Sequence, residues 1–403
     1  MSEVNTIREG YKESALGEIP EGWEVYQLSK HIELLTGFPF KSQNFNEDNR
    51  GTKLLRGVNI TEGKLRWNEK IDRWWNLPFD EFDKYSAHVG DLVISMDGSL
   101  VGRNYARVGD SDLPLLVVQR VACIRSKKSL DLEFLNQIIG SPLWVNYVDS
   151  VKTSSGIPHI SAKNIREFKV PFPPLPEQQK IAEILSTVDD KIDVIDQQIT
   201  QTQELKKGLM QQLLTKGIGH TRFKDSVLGE IPEGWEVKNI EDILTIGSGK
   251  DYKHLDEGEI PVYGTGGLMT YVNDYLYDGE SVGIGRKGTI DKPVFLSGKF
   301  WTVDTLFFTH SFIKTLPKYV YYLFLTIDWK RHNEASGVPS LSKTTIEKIK
   351  LIISPLPEQQ KIAEILSTVD DKIEVLQNKK SSFKEMKKGL MQQLLTGKTR
   401  VKL

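Results

Sequence analysis

The stretch Pro174–Ile192 occurs twice, letter for letter, the second time as Pro355–Ile373, 181 positions later. The same offset carries Lys206–Thr215 onto Lys387–Thr396. A chain with one long segment in duplicate must place two equivalent elements, which restricts its fold more than any bulk property does.

The apolar spacing of that segment is helical. Leu185, Val188, Ile192, Ile195 and Ile199 recur at steps of three and four, and the pattern resumes at Leu209 and Leu213. Leu185, Ile192, Ile199 and Leu213 fall in one heptad row, and Val188, Ile195 and Leu209 in the other. The second copy keeps the seam through Leu366, Val369, Ile373, Leu376, Phe383, Leu390 and Leu394. Pro176 and Pro357 suit a first helical turn, where a missing N–H costs nothing. Glu177 and Glu358 sit where the helix dipole favours an acid. Gly217 and Gly397 read as stop signals.

Each helix is expected to run roughly 38 residues, or about 57 Å. Two arrangements satisfy a narrow apolar stripe of that length. Each helix packs on its own globular neighbour, or the two pair as a coiled coil, antiparallel because globular segments separate them. The second is the expectation. Gly208 and Gly389 interrupt both seams at a cost of about 1 kcal/mol each. Three outcomes stay open for them: a kink, a close helix contact, or an early end to the helix.

A second repeat has a different offset. Leu16–Val25 returns identically as Leu228–Val237, 212 positions on, so the inserts differ by 31 residues and share little recognisable sequence. The chain reads as variable block, constant helix, variable block, constant helix. The segment that follows the first helix, Thr221 into Trp235 and Val237, has its counterpart at the N-terminus. That is a circular arrangement, with residues 1–25 completing the second repeat. The expected division is 1–173, a first globular domain; 174–216, the first helix; 217–354, a second globular domain; and 355–403, the second helix and its tail.

Both blocks read as mixed α/β with more strand than helix. Strand-like runs are Lys53–Ile60, Asp91–Met96 and Leu115–Val118 in the first, and Ile260–Tyr263, Ser281–Ile284 and Lys299–Phe308 in the second. Helices are expected over Leu132–Val148 and about Pro317–Arg331. Both blocks close on a related motif, Ser155–Ser161 and Ser336–Ser342, then pass through prolines into the long helix.

At 403 residues the chain has length for two or three domains, and no run approaches a membrane span. The start, Met1–Thr6, is polar, and a single cysteine, Cys123, excludes an internal disulfide. A cytoplasmic location is the expectation. The net charge of −1 hides local contrast. Glu177–Glu204 holds seven acids and two lysines, whereas Lys41–Arg73 holds eight basic and five acidic residues, and Gly283–Phe300 four and one. The first helix is thus a poor phosphate-binding surface, and the basic patches lie in the blocks between the helices.

No catalytic constellation stands out. The tetrapeptides that amino-methyltransferases use on a flipped base are missing, as is a P-loop. His88, His159, His220, His254, His310 and His332 show no paired ligand spacing. No cofactor or metal is expected. Trp74, Trp75 and Trp301 read as packing residues, and Pro171–Pro176 as a stiff lead-in to the helix rather than a polyproline ligand.

What remains is a surface suited to DNA. Three glycine-containing loops, Thr36–Ser42, Ser95–Arg103 and Gly285–Thr289, carry amides, hydroxyls and cations able to reach phosphates or base edges. A plain β-turn explains each stretch taken alone; their recurrence in both blocks favours contact loops. The candidate DNA-contacting residues are Lys41, Ser42, Arg56, Ser99, Arg103, His159, Ser161 and Lys163 in the first block. In the second they are Lys250, Tyr263, Thr265, Arg286, Lys287, Ser340, Ser342 and Lys343.

Two variable blocks, each followed by a long helix opening Pro174–Ala182 or Pro355–Ala363, resemble the specificity subunit of Type I restriction–modification systems. Leu16–Trp23 and Lys207–Leu214 also resemble that family, and the likeness spans essentially the whole chain. It implies two target recognition domains, each reading half of a bipartite site on double-stranded DNA, held by an antiparallel helical spacer. It also implies two methyltransferase subunits bound around this chain, and restriction subunits that complete an ATP-dependent cleaving complex. The chain itself would then neither methylate nor cleave. Two other readings stay open: an interaction scaffold that does not bind DNA, and a single-chain restriction or methyltransferase enzyme. A methylation assay of the purified chain would expose the latter.

Overall fold

The computed structural model of the protein describes residues 7–154 and 156–403. Met1–Thr6 and Ser155, both used in the sequence reading, lie outside the described residues. Two compact units share the chain: residues 1–195 with 379–403, and residues 196–378. Each unit thus contains the start of one long helix and the end of the other.

The helices span Leu175–Leu213 and Leu356–Leu394, 39 residues each. Gly208 and Gly389 lie inside them and neither ends the helix; a Cβ added at either would meet nothing within 4 Å, so no close contact demands a glycine there. Beyond the helix ends, Gly217 and Gly397 adopt φ of 67° and 70°, the left-handed conformation that terminates a helix at little cost to glycine. Of the seam residues, Leu185, Val188, Ile195, Leu213, Leu366, Leu376 and Leu394 are buried. Ile192, Ile199, Leu209, Val369, Ile373, Phe383 and Leu390 are half-buried, whereas Val194 and Val375, off the seam, are 48% and 60% exposed.

In the first unit a five-stranded sheet runs Ile32–Thr36, Val121–Ser126, Leu92–Ser95, Tyr105–Arg107, Glu62–Gly63. A smaller one joins Leu115–Val117, Thr52–Leu55 and Trp74–Trp75. In the second unit the sheets run Thr245–Ser248, Leu306–His310, Ser281–Gly285, Val294–Leu296, and Gly267–Val272, Glu257–Gly264, Lys299–Thr302, Tyr277–Asp278. The two inserts share one plan despite their unlike sequences. Each has a parallel pair in its second sheet, Leu115–Val117 on Thr52–Leu55 and Lys299–Thr302 on Glu257–Gly264. Gly37 and Gly249 pass so close to the Val118 and Val303 carbonyls that any side chain would collide with backbone.

Several expected elements are divided. The strand-like run Lys53–Ile60 leaves the sheet at Leu55 and turns through Gly57–Asn59. Lys299–Phe308 is two strands with a reversal between them. The helix expected over Leu132–Val148 is two, Leu132–Ile139 and Pro142–Val151, because Gly140 and Ser141 precede a proline that opens the second. The later helix stops at Thr326, and Trp329–His332 forms a separate tight turn.

Each core is built around a tryptophan from the second repeat. Trp23 packs with Phe134, Trp144 and Phe168, with Ile181 and Leu185 of the first long helix, and with Met391, Leu394 and Leu395 of the second. Trp235 packs with Tyr319, Phe324 and Trp329, with Leu213 and Leu214, and with Ile362 and Leu366. Polar clasps lock these cores to the helix starts. The buried Gln178 accepts from Asp131 N–H at 2.9 Å and donates to the Pro173 carbonyl at 2.9 Å. Gln359 does the same with Leu316 N–H at 2.9 Å and the Ser354 carbonyl at 2.7 Å. A buried amide satisfied on both its ends holds its neighbours where an apolar side chain of the same size would not.

Candidate nucleic-acid interface

Two of the three loops singled out in the sequence, Ser95–Arg103 and Gly285–Thr289, follow equivalent strands, and the structure pins both in the same way. After Leu92–Ser95 the chain turns through Met96, Asp97 and Gly98; after Ser281–Gly285 it turns through Arg286, Lys287 and Gly288. Both glycines need positive φ, 101° and 96°. Met96 N–H donates to the Arg120 carbonyl and Arg286 N–H to the Thr305 carbonyl, each at 2.8 Å. Gly98 N–H donates to the Pro158 carbonyl at 3.0 Å, and Gly288 N–H to the Pro339 carbonyl at 2.8 Å. Ile160 N–H returns to the Met96 carbonyl, and Leu341 N–H to that of Arg286, each at 2.9 Å. Single antiparallel bridges join Asp97 to His159 and Lys287 to Ser340. The closing motifs of the two blocks are therefore the struts of the two turns.

In the second unit this arrangement gathers Arg286, Lys287, Ser340, Ser342 and Lys343 around a cleft of about 610 Å³. Ser248, Asp304, Thr305, Phe307 and Glu334 complete its wall. The Arg286 guanidinium lies 5.9 Å from the Phe307 ring centre and donates to the Asp304 carbonyl at 3.3 Å. The Lys343 ammonium lies 6.0 Å from the same ring. Thr265 adjoins the turn, its hydroxyl 3.6 Å from where a Cβ on Gly288 would stand. Three cations beside two acids leave the lining of this cleft with a net positive charge.

Ser342 has a structural task as well, and two candidates of this unit lie outside the cleft. Ser342 caps the helix Lys343–Glu347, accepting from Thr345 N–H at 3.1 Å and donating to Glu334 Oε1 at 2.8 Å. The Thr345 and Ser342 hydroxyls together keep the Glu334 carboxyl below its ordinary range. Lys250 is exposed and its carbonyl accepts from Trp301 Nε1 at 2.8 Å, while Tyr263 is half-buried against Phe300 and Phe308; neither lines the cleft.

In the first unit His159 shares a hydrogen bond with Thr153 Oγ1 at 3.0 Å. Ser161 caps Ala162–Glu167, accepting from Asn164 N–H at 3.2 Å. Lys163 is exposed, with Glu167 3.8 Å away, and Lys41, Ser42 and Ser99 are exposed. Arg103 grips Asp149 at 2.8 Å. That bond, with one from Lys152, holds the Asp149 carboxyl down at about 2. Arg56 donates to the Ile71 carbonyl, and burial followed by nearby Arg73 lowers its guanidinium below the ordinary range. These two arginines already have partners within the fold. Asp97 was passed over in the sequence, although it sits in a quoted loop and occupies the position of Lys287.

Among the described residues no group of histidine, cysteine or acid side chains could hold a metal ion, and no helix is long and apolar enough to cross a membrane. Burial and the neighbouring Asp91 push the Cys123 thiol far above its usual range, away from thiolate chemistry.

Residues 20–204 and 232–385 match the model of the Type I restriction modification DNA specificity domain. Two specificity subunits of Methanocaldococcus jannaschii are similar over almost their whole length. The MjaVIII subunit is 28% identical, with 98% of this chain and 97% of that protein covered. The MjaX subunit, described as putative, is 28% identical over the same shares, 98% and 97%. The crystal structure of the Type I S subunit from M. genitalium superposes with a TM-score of 0.63 at 16% identity, covering 93% of this chain and 96% of that one. At that identity the likeness is one of fold.

Proposed function

The chain belongs to the Type I restriction modification DNA specificity family, and from that premise we propose that it reads a bipartite, asymmetric DNA site, one half-site per unit. It would position two methyltransferase subunits and the restriction subunits while carrying out neither reaction itself. The observation that carries this reading is the pair of equivalent turns, Met96–Gly98 and Arg286–Gly288, built on one topology but bearing different side chains. One backbone plan with two surfaces is what reading two unlike half-sites requires.

The long helices would be the antiparallel spacer between the readers. Supporting this, Asp189 of the first helix meets Lys387 of the second at 2.7 Å, and Lys206 of the first meets Asp370 of the second at 2.5 Å. From 189 to 206 one partner advances while the other retreats from 387 to 370, the same number of steps, as antiparallel helices demand. The boundaries 26–153 and 238–335 would then enclose the two interchangeable readers.

The test is long-read methylation sequencing of cells expressing this chain with its methyltransferase partner. A motif in two parts separated by unspecified bases is expected, and replacing residues 26–153 by the block of a relative should change only one part. Loss of both parts, or a continuous motif, would end the proposal. One added helical repeat in both long helices should lengthen the gap and leave the half-sites alone.

A further inference from the structure

The two equivalent turns present opposite charges. Met96 corresponds to Arg286, Asp97 to Lys287 and Gly98 to Gly288, through three matched backbone hydrogen bonds and one matched bridge in each unit. Neither the Asp97 carboxylate nor the Lys287 ammonium has a hydrogen bond or ion pair within the fold among the described residues. Asp97 is half-buried beside Gly57, its Oδ1 3.5 Å from where a Cβ on that glycine would stand, and Lys287 is exposed at the mouth of the basic cleft. Both side chains are thus held at a fixed backbone position with no partner for their polar ends within the fold among the described residues.

The opposition narrows what the turns can touch. If each unit meets its half-site in the same pose, Asp97 and Lys287 reach equivalent places on DNA. A phosphate at that place would attract Lys287 and repel Asp97. A base edge suits both. An acid accepts from an exocyclic amino group, whereas a cation donates to the N7 and O6 acceptors of guanine. Resting on the two-half-site reading, we infer that Asp97 and Lys287 are specificity-determining residues at matched positions. Asp97 reads a base that offers an amino group, cytosine N4 or adenine N6. Lys287 reads guanine. The asymmetry of the site then has an atomic origin at this step: one half-site offers a donor where the other offers acceptors.

The experiment uses the full chain with its methyltransferase partner and long-read methylation sequencing. It compares wild type with Asp97→Ala, Lys287→Met and Lys287→Arg. Lys287→Met keeps the aliphatic stem and removes the charge from an exposed site, so folding is not in question, and in each variant the untouched half-site is an internal control. The expected result for Lys287→Met is relaxation at one guanine of one half-site, with discrimination there falling on the order of tenfold; Lys287→Arg restores it. Asp97→Ala should relax one position of the other half-site, and the base found there in wild type decides between cytosine and adenine.

Two results would overturn the inference while leaving the two-half-site reading intact. In one, Lys287→Met weakens methylation at all sites alike without relaxing any position, the mark of a phosphate contact. In the other, both motifs remain unchanged. A wild-type complex that yields no bipartite motif would overturn the reading itself, and with it this inference.

Discussion

The indole N–H of Trp23 donates to Glu177 Oε2 at 2.9 Å, across 154 positions of chain, and the Arg400 guanidinium grips the same carboxylate through both its oxygens. Trp23 and Glu177 are fully buried, so this acid is taken out of water and tolerated because three donors meet it. The second unit repeats the device with Trp235 on Glu358 at 2.8 Å, and His220 in place of the arginine. These bonds tie the N-terminal repeat, the helix start and the C-terminal tail into one core. Tyr11 adds a bond to the Gly397 carbonyl at 2.9 Å.

Glu177→Gln should therefore destabilise the first unit by about 1–3 kcal/mol, since the one remaining amide oxygen cannot serve both the buried indole N–H and the guanidinium. Arg400→Met, at a partly exposed side chain, should cost less. Thermal melts of the chain and of the two variants check the order; equal losses would show that the ion pair, not the indole bond, holds the joint.

Asp189 and Asp370 each sit where three elements meet. Besides their lysines, Asp189 accepts from Gln137 Nε2 at 2.9 Å and Asp370 from Tyr322 Oη at 2.8 Å. Gln137 and Tyr322 belong to the helices Leu132–Ile139 and Pro317–Thr326, so each acid ties its globular domain to the opposite long helix. Lys387 and Lys206 are only 17% and 18% exposed, which raises these pairs above ordinary surface bridges. Lys387→Asp should lose more than 1 kcal/mol by setting two acids together, and the double variant Asp189→Lys with Lys387→Asp should recover part of it. A double-mutant cycle on melting temperature measures the coupling. Zero coupling would mean the helices are held by their apolar seam alone.

Much of this architecture could be read from the residues, for identifiable reasons. The seam Leu185, Val188, Ile195, Leu366 and Leu376 is legible because heptad spacing is local and the segment is duplicated. The division at Gly140, Ser141 and Pro142 was also written in the chain but outweighed by the apolar run around it. The Trp23–Glu177 bond was not legible, since nothing local links residues so far apart. The match of Asp97 to Lys287 was hidden more deeply, because backbone hydrogen bonds define it and the side chains are opposite in kind. Arg56 and Arg103 illustrate the reverse limit: a basic residue in a loop reads as available until the fold supplies the Ile71 carbonyl and Asp149.

The helical glycines give a prediction with an unusual sign. Gly208 and Gly389 have helical neighbours on both sides and open space where a Cβ would go. Alanine there should restrict the unfolded chain and favour the helix, stabilising by about 0.5–1 kcal/mol per site. In units of this size that is about 2–4 °C in melting temperature per kcal/mol. If both substitutions stabilise the free chain but weaken its complex with the methyltransferase subunits, the glycines are kept for a partner that approaches the helix closely. If they destabilise the free chain, the helices are less regular there than the continuous span from Leu175 to Leu213 implies.

Acid should loosen both units before the carboxylates titrate. Burial, and then Lys343, lowers the proton affinity of His310 below its ordinary value of 6.5, and burial followed by Lys30 and Lys127 does the same to His31. Between the lowered value and 6.5 the unfolded chain binds more protons at these sites than the folded one. Stability therefore rises with pH through that window and is lost as pH falls through it. Asp149, held down at about 2, titrates far lower and does not contribute there. Melting temperature should thus fall as pH is taken from 7 to 5, and His310→Gln together with His31→Gln should flatten that slope. His310 lies against Tyr277 and Phe308 in the second unit and His31 against Tyr26 and Phe172 in the first. Each single variant should accordingly protect the amides of its own unit from acid-promoted exchange and leave the other unchanged. A slope that persists in the double variant would assign the acid sensitivity to other groups.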